Sequence, residues 1–148
     1  MLLHPDGTLF AIGRSRFSDD APVAEEETAK IYVKVLPEGL ETVILAQVDT
    51  GSAWSVLARD YAEALALLDG EGELIPLSTR YGRIRGRLEK ATFTIMADEG
   101  ESLEVREATV FVSRDWPGVT FLGYSGLLER LCFAFDPQQY FFYFGPGG

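Results

Sequence analysis

Val43-Ile44-Leu45-Ala46-Gln47-Val48-Asp49-Thr50-Gly51-Ser52 is the stretch on which the reading of this chain turns. An apolar run with β-branched residues reads as a strand, and this one leads directly into a carboxylate within a glycine-containing turn. A carboxylate used as a catalyst needs a rigid support, and a strand supplies it. Thr50 brings a hydroxyl able to hydrogen-bond nearby, Gly51 lets the backbone approach the carboxyl group closely, and Ser52 adds a further donor. Asp-Thr-Gly is also an ordinary turn after a strand, so its surroundings must decide between a catalytic and a structural reading.

Those surroundings are β-type. From Ile31 onward, IYVKVL, TVILAQV, ATFTIM, LEVREATVFV, LCFAF and YFFYF are separated by Gly, Pro, Asp and Glu, the pattern of a mostly β protein. Two stretches read as helix. In ARDYAEALALLDGEG, Tyr61, Leu65 and Leu68 recur at helical spacing and Gly70 is placed to stop the helix; in GYSGLLERL, Leu127, Leu128 and Leu131 predict one short helix after a Gly-rich turn. Residues 1–30 read as a loosely organised N-terminal arm. It carries turn signals at Pro5-Asp6-Gly7 and Asp19-Asp20-Ala21-Pro22, and an acidic run, Glu25-Glu26-Glu27, that reads as a solvated face. Residues 31–148 contain neither a repeat of whole units nor a low-complexity linker, so they are expected to form one domain.

With 148 residues, 47% hydrophobic and 24% charged, the chain can bury a core without staples. Cys132 is the only cysteine, which excludes an intrachain disulfide; its neighbours Leu131 and Phe133 point to a buried thiol in a reducing, cytoplasmic setting. The opening MLLHPDGTLFAIGR lacks a charged n-region followed by a long apolar run, and no other stretch is long and apolar enough to span a bilayer. A soluble, unexported protein with no membrane partner is expected. The formal net charge of -10 argues against nucleic acid as the bulk partner, because phosphate would be repelled by most of the surface.

Asp49-Thr50-Gly51-Ser52 after an apolar strand resembles the active-site motif of the aspartic proteases, and three further features follow in the order of a retropepsin-like lobe. Ser55-Val56-Leu57 is similar to the segment that leaves the catalytic loop. Tyr81-Gly82-Arg83-Ile84-Arg85-Gly86-Arg87-Leu88, followed by Ala91-Thr92-Phe93-Thr94-Ile95, is similar to the flap hairpin and the strand after it, with Tyr81, Gly82, Arg83 and Ile84 as flap and substrate-binding candidates. Phe121-Leu122-Gly123, followed by Leu127-Leu128, resembles the apolar-apolar-Gly motif that closes the lobe behind the catalytic turn. The matches run from about Lys34 to Phe144. Two departures stand out: Tyr124-Ser125-Gly126 replaces the more polar run of viral members, and Ser52 follows the pepsin-like pattern where viral members often have Ala.

The resemblance implies a closed acid-protease β-barrel lobe with one or two short helices, and catalysis by two carboxylates sharing a proton. Two carboxylates held a few ångströms apart cannot both ionise, so the pair titrates as a unit. The chain holds one Asp-Thr-Gly and is too short for two lobes. A homodimer, with Asp49 of each copy meeting across a two-fold axis, is therefore the expected enzyme, and a peptide or protein is the expected substrate. Acid-base chemistry of this kind uses carboxylates and water, with no cofactor and no metal. A partner lobe from a different chain, or an inactive dimer serving as a peptide-binding or assembly module, is the alternative reading.

Several features carry two readings each. Arg80, Arg83, Arg85 and Arg87 place four of the thirteen basic residues in the flap; they could meet a carboxylate-bearing peptide or acidic groups beneath, or they could be a solvated hairpin whose charge discourages edge pairing. The aromatics Tyr140 to Phe144 suit either a strand buried in its own lobe or a dimer interface. Trp54 and Trp116 could line a peptide groove or anchor a core. His4, the only histidine, lies in the arm, so neither a zinc site nor a Ser-His-Asp triad has a supporting partner. Gly82 and Gly86 match no phosphate-binding loop, which would need a following helix.

Overall fold

The computed structural model describes residues 2–20 and 30–148. Strand makes up 52% against 7% helix, so the chain is mostly β. In chain order the strands are β1 (Gly13–Arg16), β2 (Ser18–Asp20), β3 (Lys30–Pro37), β4 (Ile44–Val48), β5 (Ser55–Val56), β6 (Leu74–Thr79), β7 (Gly82–Ile95), β8 (Glu99–Gly100), β9 (Leu103–Val112), β10 (Phe121–Leu122), β11 (Leu131–Asp136) and β12 (Phe141–Pro146). Helix α1 (Arg59–Ala64) follows β5, and one 3-10 turn, Leu128–Arg130, precedes β11.

Six of these strands close on themselves in the order β3-β4-β10-β5-β9-β7, with β7 returning to β3 through Val35↔Ile95 and Leu36↔Thr94. Closure leaves the barrel strands without free edges. Alternation along the strands fills the interior: Val33, Val35, Ile44 and Ala46 turn inward from β3 and β4 to meet Phe93, Ile95, Val110 and Leu122. Each such side chain contributes roughly 1.5–3 kcal/mol on burial. Strands β2 and β6 extend the sheet beyond the barrel at its two ends.

A second sheet, ordered β11-β12-β1-β8, packs against the barrel. Phe142 and Phe144 of β12 are fully buried in the chain's own core. On the opposite face the Arg14 guanidinium lies 4.0 Å from the centre of the Phe141 ring, so both faces of the aromatic strand are occupied within one chain.

The N-terminal arm differs from its expected loose organisation. Strand β1 sits inside the second sheet, antiparallel to β12 on one side and β8 on the other, and Ala11, Ser15 and Phe17 are buried. Gly13-Arg14-Ser15-Arg16 has little strand propensity of its own; it is a strand because the free backbone groups of β12 need a partner. Asp19 and Asp20, read as part of a turn, pair with Ile31 and Lys30 in β2. Ala21, Pro22 and Glu25-Glu26-Glu27 lie outside the described residues. The turn at Pro5-Asp6-Gly7 forms as expected, with Gly7 at φ 87 and its N–H donating to His4 O at 2.9 Å.

Helix α1 is shorter than its periodicity predicts and ends before Gly70. Ala66 takes a left-handed φ of 57, which turns the chain so that Leu67 N–H donates to Ala62 O at 2.9 Å. Leu65 and Leu68 still pack on the core, and that packing is what their spacing registers. The helix expected in GYSGLLERL is the single 3-10 turn. Among the described residues no helix is long and apolar enough to cross a membrane. Cys132 is free and half-buried, its Sγ 3.9 Å from His4 Nε2.

Asp98 ties the two sheets together. Its carboxylate pairs with Lys34 of β3 and accepts Arg16 N–H at 2.7 Å, while its own N–H donates to Arg14 O at 2.9 Å. The Lys34 ammonium, with the Arg16 amide second, holds the Asp98 carboxyl below its ordinary value. A depressed carboxyl contributes stability above its unfolded pKa of about 4, and that contribution drains as pH falls through the lower folded value. Asp98→Asn should therefore lower stability at pH 7 by about 1 kcal/mol or less, because the pair is partly exposed. Urea unfolding of the two proteins should converge as the pH falls well below 4.

Candidate functional site

Strand β4 delivers the chain to Asp49, and three hydrogen bonds then fix the turn. Gly51 N–H donates to Asp49 Oδ1 at 3.0 Å, Ser52 N–H to Asp49 O at 3.2 Å, and Ser52 Oγ to Trp54 O at 2.7 Å. Asp49 thus folds its own turn through its side chain, as aspartates at turn starts do. Ser52 braces the backbone with its hydroxyl instead of offering a donor to the carboxylate. A Cβ on Gly51 would meet only Asp49 Oδ1, at 3.4 Å; the fold tolerates a side chain there, and glycine leaves the approach to the carboxylate open. Thr50 is exposed, and its hydroxyl has no partner among the described residues.

Phe121, Leu122 and Gly123 pass between the two arms of this turn. Strand β10 runs parallel to β4, with Phe121 beside Gln47 and Leu122 beside Val48, and antiparallel to β5, with Phe121 beside Val56. Asp49 N–H donates to Leu122 O at 3.0 Å, Gly123 N–H to Ser55 Oγ at 2.9 Å, Tyr124 N–H to Ser52 O and Ser125 N–H to Ala53 O, both at 2.9 Å. One segment therefore satisfies backbone groups on both sides of the carboxylate. Glycine is required at 123, where a Cβ would sit 2.3 Å from the backbone carbonyl of Trp54.

Strands β6 and β7 form a hairpin whose tip is Arg80-Tyr81. Gly82 takes a left-handed φ of 97, which glycine adopts freely. Thr79 Oγ1 donates to Gly82 O at 2.8 Å and accepts Tyr81 N–H at 3.1 Å, closing the tip. Alternation gives the hairpin two faces. Ile84 turns inward and packs with Val56, Phe111 and Trp116. Arg83 and Arg85 are exposed on the opposite face, opposite Ser78 and Pro76, and Arg87 on that face donates to Gly72 O at 2.9 Å.

Between hairpin and turn lies a cleft of about 420 Å³. Asp49, Gly51 and Ser52 form one side, Leu77 to Arg80 the other, and Val56, Trp116 and Phe121 the apolar floor. Trp116 is held by donating Nε1–H to Val119 O at 3.0 Å, and its ring meets Tyr81 and Phe121 with centroids 5.5 Å away in each case. Of the four flap candidates, Tyr81 reaches the cleft wall through Trp116, Ile84 supports it from beneath, Gly82 shapes the tip, and Arg83 faces away. The residues that line the cleft come from the preceding strand. Their signal in the sequence was weak: Leu77 to Thr79 form an ordinary edge segment, and Trp116 follows a loop whose path no local pattern specifies.

A second cavity, of about 440 Å³, lies beside Leu103–Val105 and Gly147-Gly148, and its carboxylates are Glu104 of β9 and Glu129 of the 3-10 turn. Among the described residues no group of three His, Cys, Asp or Glu side chains is placed to hold a metal. No protein-family model matches the chain, and no curated protein matches it either.

Because the atoms that a Gly123 side chain would strike are main chain, Gly123→Ala must displace either Trp54 or β10. Such overpacking costs about 1–3 kcal/mol. A urea midpoint lowered accordingly, in a chain that still folds to a β-type circular dichroism spectrum, is the expected result.

Proposed function

We propose that this chain is an aspartic endopeptidase of the retropepsin-like type, active as a homodimer in which each copy supplies Asp49. The observation that carries the reading is the Asp49 carboxylate on a strand-supported turn, opening into a cleft that the β6–β7 hairpin overhangs. The turn is braced by main-chain hydrogen bonds from residues 122–125, the fixed geometry that a catalytic carboxylate requires.

In this reading a water lies between the two Asp49 carboxyl groups, one ionised and one protonated. The ionised group takes a proton from the water as its oxygen attacks the peptide carbonyl carbon, and the protonated group donates to the developing oxyanion. Collapse of the tetrahedral intermediate, with a proton delivered to the leaving nitrogen, breaks the C–N bond. The single Asp-Thr-Gly per chain makes pairing a condition for this chemistry, and the exposed Thr50 beside it is a suitable contact across a two-fold axis.

The outer edge of β6, which pairs with no other strand among the described residues, supports an extended substrate. Glu73 O accepts Leu88 N–H at 2.9 Å, so alternation directs the backbone groups of residues 75, 77 and 79 to β7 and those of Leu74, Pro76 and Ser78 outward. Ser78 can therefore pair with an added strand at the cleft, whereas Pro76 has no N–H to offer and limits pairing further along. The unpaired Cys132 agrees with a reducing, cytoplasmic setting for this activity.

The test is incubation of the purified chain and its Asp49→Asn form with a diverse peptide mixture from acidic to neutral pH, with new termini read by mass spectrometry. Cleavage by the parent, reduced to background in Asp49→Asn, is the expected outcome. Well below the dimer dissociation constant the rate should rise with the square of protein concentration. A folded, dimeric parent that cuts nothing would favour the peptide-binding module.

A further inference from the structure

The hairpin divides its arginines between two faces, and one of them belongs to the cleft. Among the described residues that line the cleft, Asp49 is the only acid and Arg80 the only base. Arg80 is exposed, has no ion-pair partner among the described residues, and carries its guanidinium 5.5 Å from the centre of the Tyr81 ring. That ring in turn packs on Trp116. Stacking on an aromatic face orients a guanidinium and leaves its hydrogen-bonding edge free for a planar anion. Arg83 and Arg85 project from the opposite face and do not line the cleft.

Beside Arg80 the cleft is apolar, with Val56, Leu77, Trp116 and Phe121 around it. A bound peptide would therefore place a bulky apolar side chain on Trp116 and Phe121. A neighbouring carboxylate would meet Arg80, away from Asp49. On a chain of net charge -10, an acidic peptide is repelled by most of the surface, so a lone cation at the mouth of the cleft is a local reversal with a selective effect.

We infer that Arg80 is a specificity-determining residue, and that the cleft takes extended peptides in which a bulky apolar residue is flanked by an acidic one. The inference rests on the peptidase reading only for what happens after binding; recognition by Arg80 needs no cleavage.

Binding can therefore be measured in the full-length Asp49→Asn protein, by fluorescence anisotropy, with peptides carrying a central Phe and a single Glu stepped outward through the flanking positions. Each is paired with its Gln counterpart. At one position the Glu peptide should bind about three- to five-fold more tightly at low ionic strength, as for an exposed ion pair, with the ratio shrinking as salt is added. Adding Arg80→Gln should bring the ratio to about one, and Arg80→Glu should favour Lys in place of Glu at that position, by the sign of the interaction alone. Arg85→Gln should keep the ratio. The assignment is overturned if no position favours Glu, whether binding is equal or absent, or if Arg80→Gln keeps the preference. No Glu preference with Arg80 in place, beside Asp49-dependent cleavage by the parent chain, overturns the Arg80 assignment alone. A retained ratio in a chain that cuts nothing overturns the peptidase reading alone.

Discussion

The passage of residues 121–123 between the two arms of the Asp49 turn is the constraint on which the rest of the molecule depends. A turn at the end of a strand ordinarily has unpaired backbone groups and frays. Here Asp49 N–H donates to Leu122 O, and Ser52 O and Ala53 O accept the N–H groups of Tyr124 and Ser125 just beyond it, while Phe121 and Leu122 complete the barrel between β4 and β5. Fold closure and carboxylate placement therefore depend on one continuous segment, residues 121–125. Asp49 is positioned by main chain, so its side chain is not needed to hold the barrel together.

The β6–β7 hairpin complements that rigid turn. Its inward face contributes Ile75, Leu77 and Ile84 to a small apolar cluster centred on Trp116, distinct from the main core. This cluster seats the hairpin at its base and leaves the tip exposed. Burial thus fixes the hairpin over the cleft, while its outward arginines keep that surface charged and resist edge-to-edge association.

Much of this was legible in the sequence where local pattern and tertiary role agree. LEVREATVFV is β9, LCFAF is β11, and the apolar run before Asp49 is β4. Segments defined by their partners were not legible. Gly13–Arg16 is polar and flexible by composition, and becomes a strand because β12 and β8 flank it. The polar middle of β7, Arg85 to Lys90, joins two expected elements into one 14-residue strand because β9 pairs along it. Leucine spacing after β5 predicts a longer helix than forms, because it reports burial and burial continues after the helix has ended. At the site, Asp49, Thr50, Gly51 and Ser52 were read together from one motif, whereas the lining at Leu77 to Arg80 and Trp116 depends on how a loop and a hairpin meet across the cleft.

The crossing segment also sets an order of events during biosynthesis. Phe121 lies beside Gln47 and Val56, partners from the first half of the chain, and contacts so distant in sequence form late in folding because the intervening loop must first be closed. While Asp49 emerges from the ribosome, its turn has only its own local hydrogen bonds to hold it. The carboxylate acquires its full bracing only when residues 121–125 arrive. A chain that stops short of residue 121 therefore carries the motif without the segment that braces it, and any chemistry performed there waits for that segment.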